Sequence, residues 1–381
     1  MTKLNILGST GIIGKKALNI INKDFNNYSI NFLMANNNYK LLSKQANQFK
    51  PKYIGLLNEK NYIKLKNNLD NKNIKIVTGR ECYQILNKSV DSTLVSISGI
   101  SALKSIISSI KNSKKIGIVN KESIVSAGKF IIPLAKKSKT KIIPLDSEHF
   151  SIYNFLLNYN KDVSYIDKIY LTASGGPFLY TDIKKFKNIK PADALKHPTW
   201  KMGIKNTIDS STMMNKCLEI VEAHYLFNLD YKKLDIIIHP ESLIHSIIKV
   251  FDGSLLANIS NNTMSIPIYD FLNLNKQTKN LYNNLDLDLI NKLTFIKPDK
   301  KRYDSLKIFE KIDKNSLSEI IVFNTSNEIA VELFIKNKIS FPNITKFIEN
   351  SLNKFEKTKI CNISDVIHYQ SYVFEKLGGF K

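Results

Sequence analysis

Three glycines near the start of the chain, Gly8, Gly11 and Gly14, lie between a short apolar run and a helical stretch. The run is Leu4-Asn5-Ile6-Leu7, and the helical spacing extends from Lys15 to Ile21. A strand that turns at once into a helix, with glycine at every third position of the turn, leaves few folds open. Glycine there permits a tight turn and a close backbone approach to a ligand, and the helix N-terminus points at that ligand. A pyrophosphate suits such a turn, so the pattern reads as a variant of the dinucleotide fingerprint.

The same rhythm continues down the chain. Apolar runs at Ile30–Ala35, Tyr53–Leu56, Ile74–Val77, Thr93–Ile97, Ile116–Val119 and Ile142–Leu145 read as strands. Helical stretches separate them near 59–68, 101–110 and 122–136. Strands alternating with helices predict a doubly wound parallel sheet, with ligands at the carboxyl ends of the strands. Asn36-Asn37-Asn38 closes the second run, and Lys40 comes soon after. No acidic residue is there to repel a 2′-phosphate, which favours NADP over NAD; a polar loop without preference is the alternative. Asn120-Lys121-Glu122-Ser123 falls at another strand end and reads either as an ordinary helix start or as a polar cluster near the nicotinamide.

At Leu145-Asp146-Ser147-Glu148-His149 the chain leaves this pattern. On extended chain Asp146 and Glu148 would point the same way, and two adjacent carboxylates need a cation or a shared proton between them. A solvated strand end is the alternative. Ser174-Gly175-Gly176-Pro177 then opens a segment to 205 rich in Gly, Pro, Lys and aromatics, expected to be a loop that acts as a lid. It carries Trp200, the only tryptophan, read either as core or as a ligand cover. Beyond it, Asn215, Glu219 and Glu222 share a helical stripe beside Lys216. The stripe is either a solvated face or, after the Ser210-Ser211-Thr212 cap region, a phosphate site. A hairpin turned by Asp252-Gly253 is expected over 245–259, and helices from Asp304 onward. His239 and His245 are read as structural, for want of a third ligand at suitable spacing.

Composition sets the remaining bounds. A chain of 381 residues exceeds one ordinary core. The net charge of +23 comes from 56 Lys and Arg against 33 Asp and Glu. The lysines are dispersed through plain loops rather than gathered with aromatics, so no nucleic-acid partner is expected. No apolar run reaches the roughly 20 residues of a membrane helix, and no membrane partner is expected. Met1-Thr2-Lys3 enters a strand directly, leaving no room for a targeting segment, and three scattered cysteines suggest reduced thiols. A cytoplasmic location is the expectation.

Taken together, these motifs resemble the 1-deoxy-D-xylulose 5-phosphate reductoisomerases. The resemblance is carried by Gly8-Ser9-Thr10-Gly11-x-Ile13-Gly14, Asn120-Lys121-Glu122-Ser123, Asp146-Ser147-Glu148-His149, Ser174-Gly175-Gly176-Pro177-Phe178 and His197-Pro198-x-Trp200-x-Met202-Gly203. Asp209-Ser210-x-Thr212-Met213-Met214-Asn215-Lys216-x-Leu218-Glu219, His239-Pro240 and Asn327-Glu328 complete it, in order over nearly the whole chain. The resemblance implies that Asp146, Glu148 and Glu219 hold Mg²⁺ or Mn²⁺. It implies a substrate phosphate gripped by Ser174, Ser210, Asn215 and Lys216 beside His197. Ser147 and Lys121 match substrate contacts, and Lys121 joins the three carboxylates as a catalytic residue. Trp200 and Met202 match lid residues over the substrate. Thr10, Gly11, Ile12, Ile13, Asn120, Glu122 and Gly203 match NADPH contacts, to which Asn36, Asn37 and Asn38 are added by position. Ile12 replaces a serine common in the family, and Asn36-Asn37 replaces a glycine followed by a basic residue.

The fold expected is α/β: an N-terminal doubly wound parallel-sheet NADP-binding domain (1–145), an α+β catalytic domain (146–273) and a C-terminal helical domain (298–381). A linker covers 274–297. The activity implied is metal-dependent rearrangement and NADPH reduction of a phosphorylated sugar, 1-deoxy-D-xylulose 5-phosphate, by a homodimer. A metal-independent NADP dehydrogenase of similar build and a basic nucleic-acid binder are the competing readings.

Overall fold

The computed structural model describes residues 1–381 apart from 25–26, 159–162, 197–198, 201, 274–284 and 379–381. The chain divides into two compact units. The first comprises 1–123, 131–150 and 263–281, and the second 124–130, 151–262 and 282–381.

In the first part of the chain β1 (Thr2–Leu7), α1 (Ile12–Asp24), β2 (Tyr28–Ala35), α2 (Tyr39–Phe49) and β3 (Tyr53–Leu56) alternate. They continue through α3 (Tyr62–Asn67), β4 (Lys75–Thr78), α4 (Glu81–Ile85), β5 (Val90–Val95) and α5 (Leu103–Asn112). Then come β6 (Ser113–Ile118), α6 (Lys121–Lys137), β7 (Lys141–Pro144) and α7 (Ser147–Asn158). The seven strands form one parallel sheet in the order β4-β3-β2-β1-β5-β6-β7. All seven apolar runs of the sequence are strands in it. Its inner strands are apolar on both faces, as covered parallel strands must be: the last four residues of β1 and of β2 are all buried. The direction of chain progress reverses between β1 and β5, which is where such sheets open a crevice.

Beyond α7 lie β8 (Ile166–Ala173), α8 (Pro191–Ala194), α9 (Ile204–Thr212), α10 (Met214–Phe227), β9 (Leu234–Ile238), β10 (Ile244–Val250) and β11 (Leu255–Ile259). The chain ends in the helices α11 (Ser265–Leu272), α12 (Asp304–Lys311), α13 (Leu317–Ile335), α14 (Phe341–Leu352) and α15 (Ile363–Lys376). Four strands make a second sheet, β11-β10-β8-β9, in which β8 and β9 are parallel. The expected hairpin is β10 and β11, antiparallel.

The units divide the chain differently from the expected domains: 124–130 fall in the second unit and 146–150 in the first. Residues 263–272 belong to the first unit. Helix α11 is held there by its C-terminal carbonyls: Tyr28 Oη donates to Leu272 O at 2.7 Å and Lys115 Nζ donates to Phe271 O. The C-terminal helices do not stand apart either. Ile320, Phe323, Phe334 and Ile344 share one continuous core with Ile169, Leu171, Leu218 and Val221. Phe341 sits edge-on to both Phe178 and Phe186 at ring distances of 5.3 and 5.7 Å.

Two local expectations are corrected. Asp146 and Glu148 do not share a strand: β7 stops at Pro144 and helix α7 begins at Ser147, with Phe150 N donating to Asp146 O at 2.8 Å. The alternation argument for their common direction therefore fails. Ser210-Ser211-Thr212 is the last turn of α9 rather than a cap of the next helix. The cap is Met213, in the left-handed region at φ 64°. The segment 174–205 is also less irregular than a bare loop, since it contains a 3₁₀ stretch at Ile183–Asn188 and the short α8.

Candidate active site

In the first unit, the groups expected to meet a nucleotide all lie just past the carboxyl ends of parallel strands. The Gly8–Gly11 turn comes after β1. Gly8 is left-handed (φ 82°), and a Cβ on it would come within 2.7 Å of Ser96 O. A Cβ on Gly14 would come within 2.4 Å of Gly8 O, so α1 can begin this close to the turn only with glycine. Thr10 is half-buried, while Gly11 and Ile12 are exposed at the opening of α1 beside half-buried Ile13. The exposed apolar Ile12 leaves its backbone N–H, not its side chain, for an anion. Gln45 of α2, which carries no motif in the sequence, steadies this turn by donating to Ser9 O at 2.9 Å.

Asn36, Asn37 and Asn38 are exposed at the end of β2, and Asn38 caps α2 by accepting from Leu41 N. Asn120 comes after β6. Its Oδ1 accepts from Ser123 N at 2.8 Å, capping α6, and its Nδ2 donates to Gly99 O at 2.7 Å and to Glu122 Oε2 at 3.2 Å. Asn120, Lys121 and Glu122 are only 3%, 2% and 4% exposed, which rules out an ordinary solvated helix start.

Asp146 comes after β7. Lys121 Nζ lies 2.8 Å from its Oδ2, and the buried His149 brings Nδ1 within 3.6 Å of its Oδ1. Ser147 Oγ donates to Glu148 Oε2 at 2.6 Å in the first turn of α7. One helix start thus presents Asp146, Ser147 and Glu148 next to a buried ammonium. His149 stands in the motif, yet its sequence context assigns it no role; its burial against Asp146 is seen only in the structure.

The second unit gathers the expected phosphate residues. Ser174 comes after β8, and its Oγ accepts from Gly176 N at 3.1 Å. Gly175 and Gly176 are both left-handed (φ 83° and 69°). Gly176 packs directly on α9: a Cβ there would lie 2.8 Å from Ser211 Cα and 3.0 Å from Ser210 O. Only glycine lets the Ser174 turn and the Ser210 turn approach this closely. Tyr303 Oη fixes the same turn by donating to Gly175 O at 2.9 Å.

On α10, Asn215 is 9%, Lys216 5%, Glu219 0% and Glu222 1% exposed, so the polar stripe is not a solvated face. Lys216 Nζ reaches Glu219 Oε2 at 2.7 Å and Asn215 Nδ2 donates to Glu219 Oε1. Buried charges persist when paired and hydrogen-bonded, and here one carboxylate organises both residues expected to grip phosphate. Trp200 and Met202 are half-buried, with the Trp200 ring 5.9 Å from that of His245, while Gly203 is exposed and caps α9. A Cβ on Gly203 would meet nothing within 4 Å, so its expected cofactor role has no steric demand behind it. His197 lies outside the described residues.

His239 is buried and stacked on Phe295 at 4.9 Å, with Nδ1 2.9 Å from Thr294 O and 3.1 Å from Glu241 Oε2. Burial pushes the Cys82 thiol up to about 12 and the Cys217 thiol higher still, which disfavours the thiolate at both.

Known proteins are similar to this chain in sequence and fold. A family model described as 1-deoxy-D-xylulose 5-phosphate reductoisomerase matches residues 4–128. Models of that enzyme's C-terminal domains match 142–227 and 259–374. A 1-deoxy-D-xylulose 5-phosphate reductoisomerase of Chloroherpeton thalassium is 38% identical over 382 residues, covering 99% of this chain and 98% of its own. One from Wolbachia pipientis subsp. Culex pipiens is 40% identical over 372 residues, covering 96% and 94%. Among solved structures, the Zymomonas mobilis reductoisomerase in complex with NADPH superposes with TM-score 0.89 at 32% identity, over 99% of this chain and 98% of its own. A reductoisomerase in complex with NADPH, fosmidomycin and magnesium gives 0.91 at 32% identity, over 99% and 97%. The chain belongs to the 1-deoxy-D-xylulose 5-phosphate reductoisomerase family.

Proposed function

We propose that this protein converts 1-deoxy-D-xylulose 5-phosphate to 2-C-methyl-D-erythritol 4-phosphate, with NADPH as reductant and Mg²⁺ or Mn²⁺ as cation. The observation that carries the reading is the buried cluster on α10. Lys216 and Asn215 stand on Glu219, and the Ser174 turn packs on Ser210 and Ser211. The α10 cluster is cationic and donor-rich, suited to a phosphate, and is built around a carboxylate suited to a metal.

Asp146, Glu148 and Glu219 would hold the cation, since an all-oxygen carboxylate set suits hard divalent ions. Bound there, the cation supplies Lewis acidity at the substrate's ketone and neighbouring hydroxyl, and NADPH supplies hydride. The chain's own residues do the rest. The Gly8–Gly11 turn and the start of α1 bind the cofactor pyrophosphate, with Thr10, Ile12 and Ile13 beside it. Asn120 and Glu122 hold the nicotinamide end, and Asn36 to Asn38 meet the ribose. Lys121 orients Asp146 through its 2.8 Å ion pair and offers an ammonium to developing oxyanion charge. Ser147 positions Glu148 and contacts substrate.

Ser174, Ser210, Asn215 and Lys216 fix the phosphate, and the resemblance adds His197 to them. That remote binding orients the reacting carbons and is used to close Trp200 and Met202 over them, excluding water. Gly203, at the end of this segment, completes the cofactor contacts.

A homodimer is part of the reading. It is supported by β11, an edge strand with Leu255 and Ile259 exposed and Phe251 exposed at its turn. An unpaired apolar edge of this kind calls for a partner sheet. No described helix is long and apolar enough to cross a membrane. A cytoplasmic location is proposed on the free thiols of Cys82, Cys217 and Cys361.

The test is product identity. Carbon-labelled substrate incubated with the protein, NADPH and Mg²⁺ should give methylerythritol phosphate by NMR. Substrate left unrearranged by a folded, NADPH-binding protein would overturn the reading.

A further inference from the structure

Asp209 immediately precedes Ser210 and has no exposed surface. A buried carboxylate is costly unless it is both paired and hydrogen-bonded, and this one is served on each oxygen by a different element. Lys205 Nζ, from the first turn of α9, lies 2.6 Å from Oδ2. Asn327 Nδ2, from the middle of α13, donates to Oδ1 at 2.9 Å. The proposed reaction gives Asp209, Lys205 and Asn327 no chemical role.

The surroundings argue that the link does more than fill space. Asn324, Thr325, Ser326 and Asn327 form a fully buried polar run inside α13. Such residues compete with helical hydrogen bonds, and apolar side chains would pack a buried helix as well or better. Asn327 spends its amide on Asp209. The last turn of α9 is held from within, Ser211 Oγ donating to Ile208 O at 2.6 Å and Thr212 Oγ1 to Asp209 O at 3.2 Å, and from α12, where Ser305 Oγ donates to Thr212 O. One helical turn beyond Asp209 stands Met213, where the left-handed backbone breaks α9 from α10 and launches Asn215 and Lys216.

We propose that Asp209 is a positioning residue for the phosphate grip. Tied by Lys205 to the start of α9 and by Asn327 to α13, it fixes the turn that presents Ser210 and sets the break that presents Asn215 and Lys216. Because Lys205 stands two residues after Gly203, the same carboxylate anchors the end of the 174–205 segment. The inference rests on the reading of Ser210, Asn215 and Lys216 as phosphate ligands.

The test compares wild type, Asp209→Asn, Lys205→Met, Lys205→Arg and the exchange Asp209→Asn with Asn327→Asp. Steady-state kinetics, NADPH affinity by fluorescence and melting temperature are read for each. Losing one charge-assisted partner of a buried group should raise KM for 1-deoxy-D-xylulose 5-phosphate about tenfold or more in Asp209→Asn and Lys205→Met. Values of kcat should stay within a few-fold and NADPH affinity should not change. Lys205→Arg, which keeps the charge, should stay near wild type. The exchange restores a carboxylate facing an amide but removes the carboxylate from Lys205. It should not recover KM. A purely structural link would instead move kcat, KM and NADPH affinity together, or let the exchange rescue KM, and either result overturns the positioning role. If Asp209→Asn does not fold, the Lys205 pair decides the matter alone. Wild-type turnover in the same assay checks the functional reading separately, so a turning-over wild type with unmoved KM in the variants overturns only this inference.

Discussion

Gly176 lies so close to Ser211 that a methyl group on its Cα would stand 2.8 Å from Ser211 Cα. This contact joins the turn after β8 to the last turn of α9, and so brings Ser174 and Ser210 together. Both glycines of the turn are left-handed, at φ 83° and 69°.

Gly176→Ala should therefore act twice, through backbone strain and through a clash with main chain that cannot swing aside. A cost of about 1–3 kcal/mol in unfolding free energy is expected. KM for the phosphorylated substrate should rise and NADPH affinity should hold, which paired kinetic and binding measurements would check. Equal loss of both would mean that the turn supports the fold and not the phosphate.

Glu219→Gln keeps the shape of a side chain that organises Asn215 and Lys216 while removing its charge. Lys216 then loses its 2.7 Å partner in a buried setting. Turnover should fall by several orders of magnitude, with NADPH affinity nearly unchanged by fluorescence titration. A variant with near-normal turnover would remove Glu219 from the metal set.

Lys40→Ala asks whether the exposed end of β2 reads the 2′-phosphate. Asn36 to Asn38 supply donors but no charge, so a basic side chain on α2 is the remaining candidate. The Michaelis constant for NADPH should rise and that for NADH barely move. A parallel change in both would sink the assignment.

Lys115 predicts a pH dependence of stability in the first unit. It is buried against α11, and burial, followed by the charge of Lys141, lowers its ammonium to about 8 from 10.5, with Asp270 opposing. Below pH 8 it is protonated in both folded and unfolded chains, and its burial cost is present in full. Between about pH 8 and 10.5 the folded chain releases the proton first. The unfolded chain then binds more protons, so this group's contribution to stability rises with pH. Relative to Lys115→Met, the wild type should gain at most about 1.4 kcal/mol per pH unit across that window. Urea unfolding of both proteins at pH 7 and pH 9.5 would show it. A difference constant with pH would place the Lys115 titration elsewhere.

Much of this architecture is legible in the sequence because local patterns decide it. Apolar runs fix β1 to β7, and Gly14 can be read as the residue that lets α1 meet the β1 turn. The Asp146–Glu148 pair can be picked out by alternation on a strand, but that reason does not hold, since helix α7 begins between them. The stripe of Asn215, Lys216 and Glu219 is visible as spacing, but spacing cannot tell a solvated face from a buried one; only tertiary packing does. Asp209 and Asn327 stand in motifs of the sequence, but nothing local pairs them, because their hydrogen bond joins residues 118 apart. The placement of α11 in the first unit is equally hidden, resting on Tyr28 and Lys115 meeting its last carbonyls from distant strands.

The most direct test of the account is NADPH oxidation with 1-deoxy-D-xylulose 5-phosphate after complete chelation, and again after Mg²⁺ or Mn²⁺ is restored. No oxidation is expected without the cation, and recovery with it that Glu219→Gln does not share. Full oxidation in the chelated protein would contradict it and favour a metal-independent dehydrogenase.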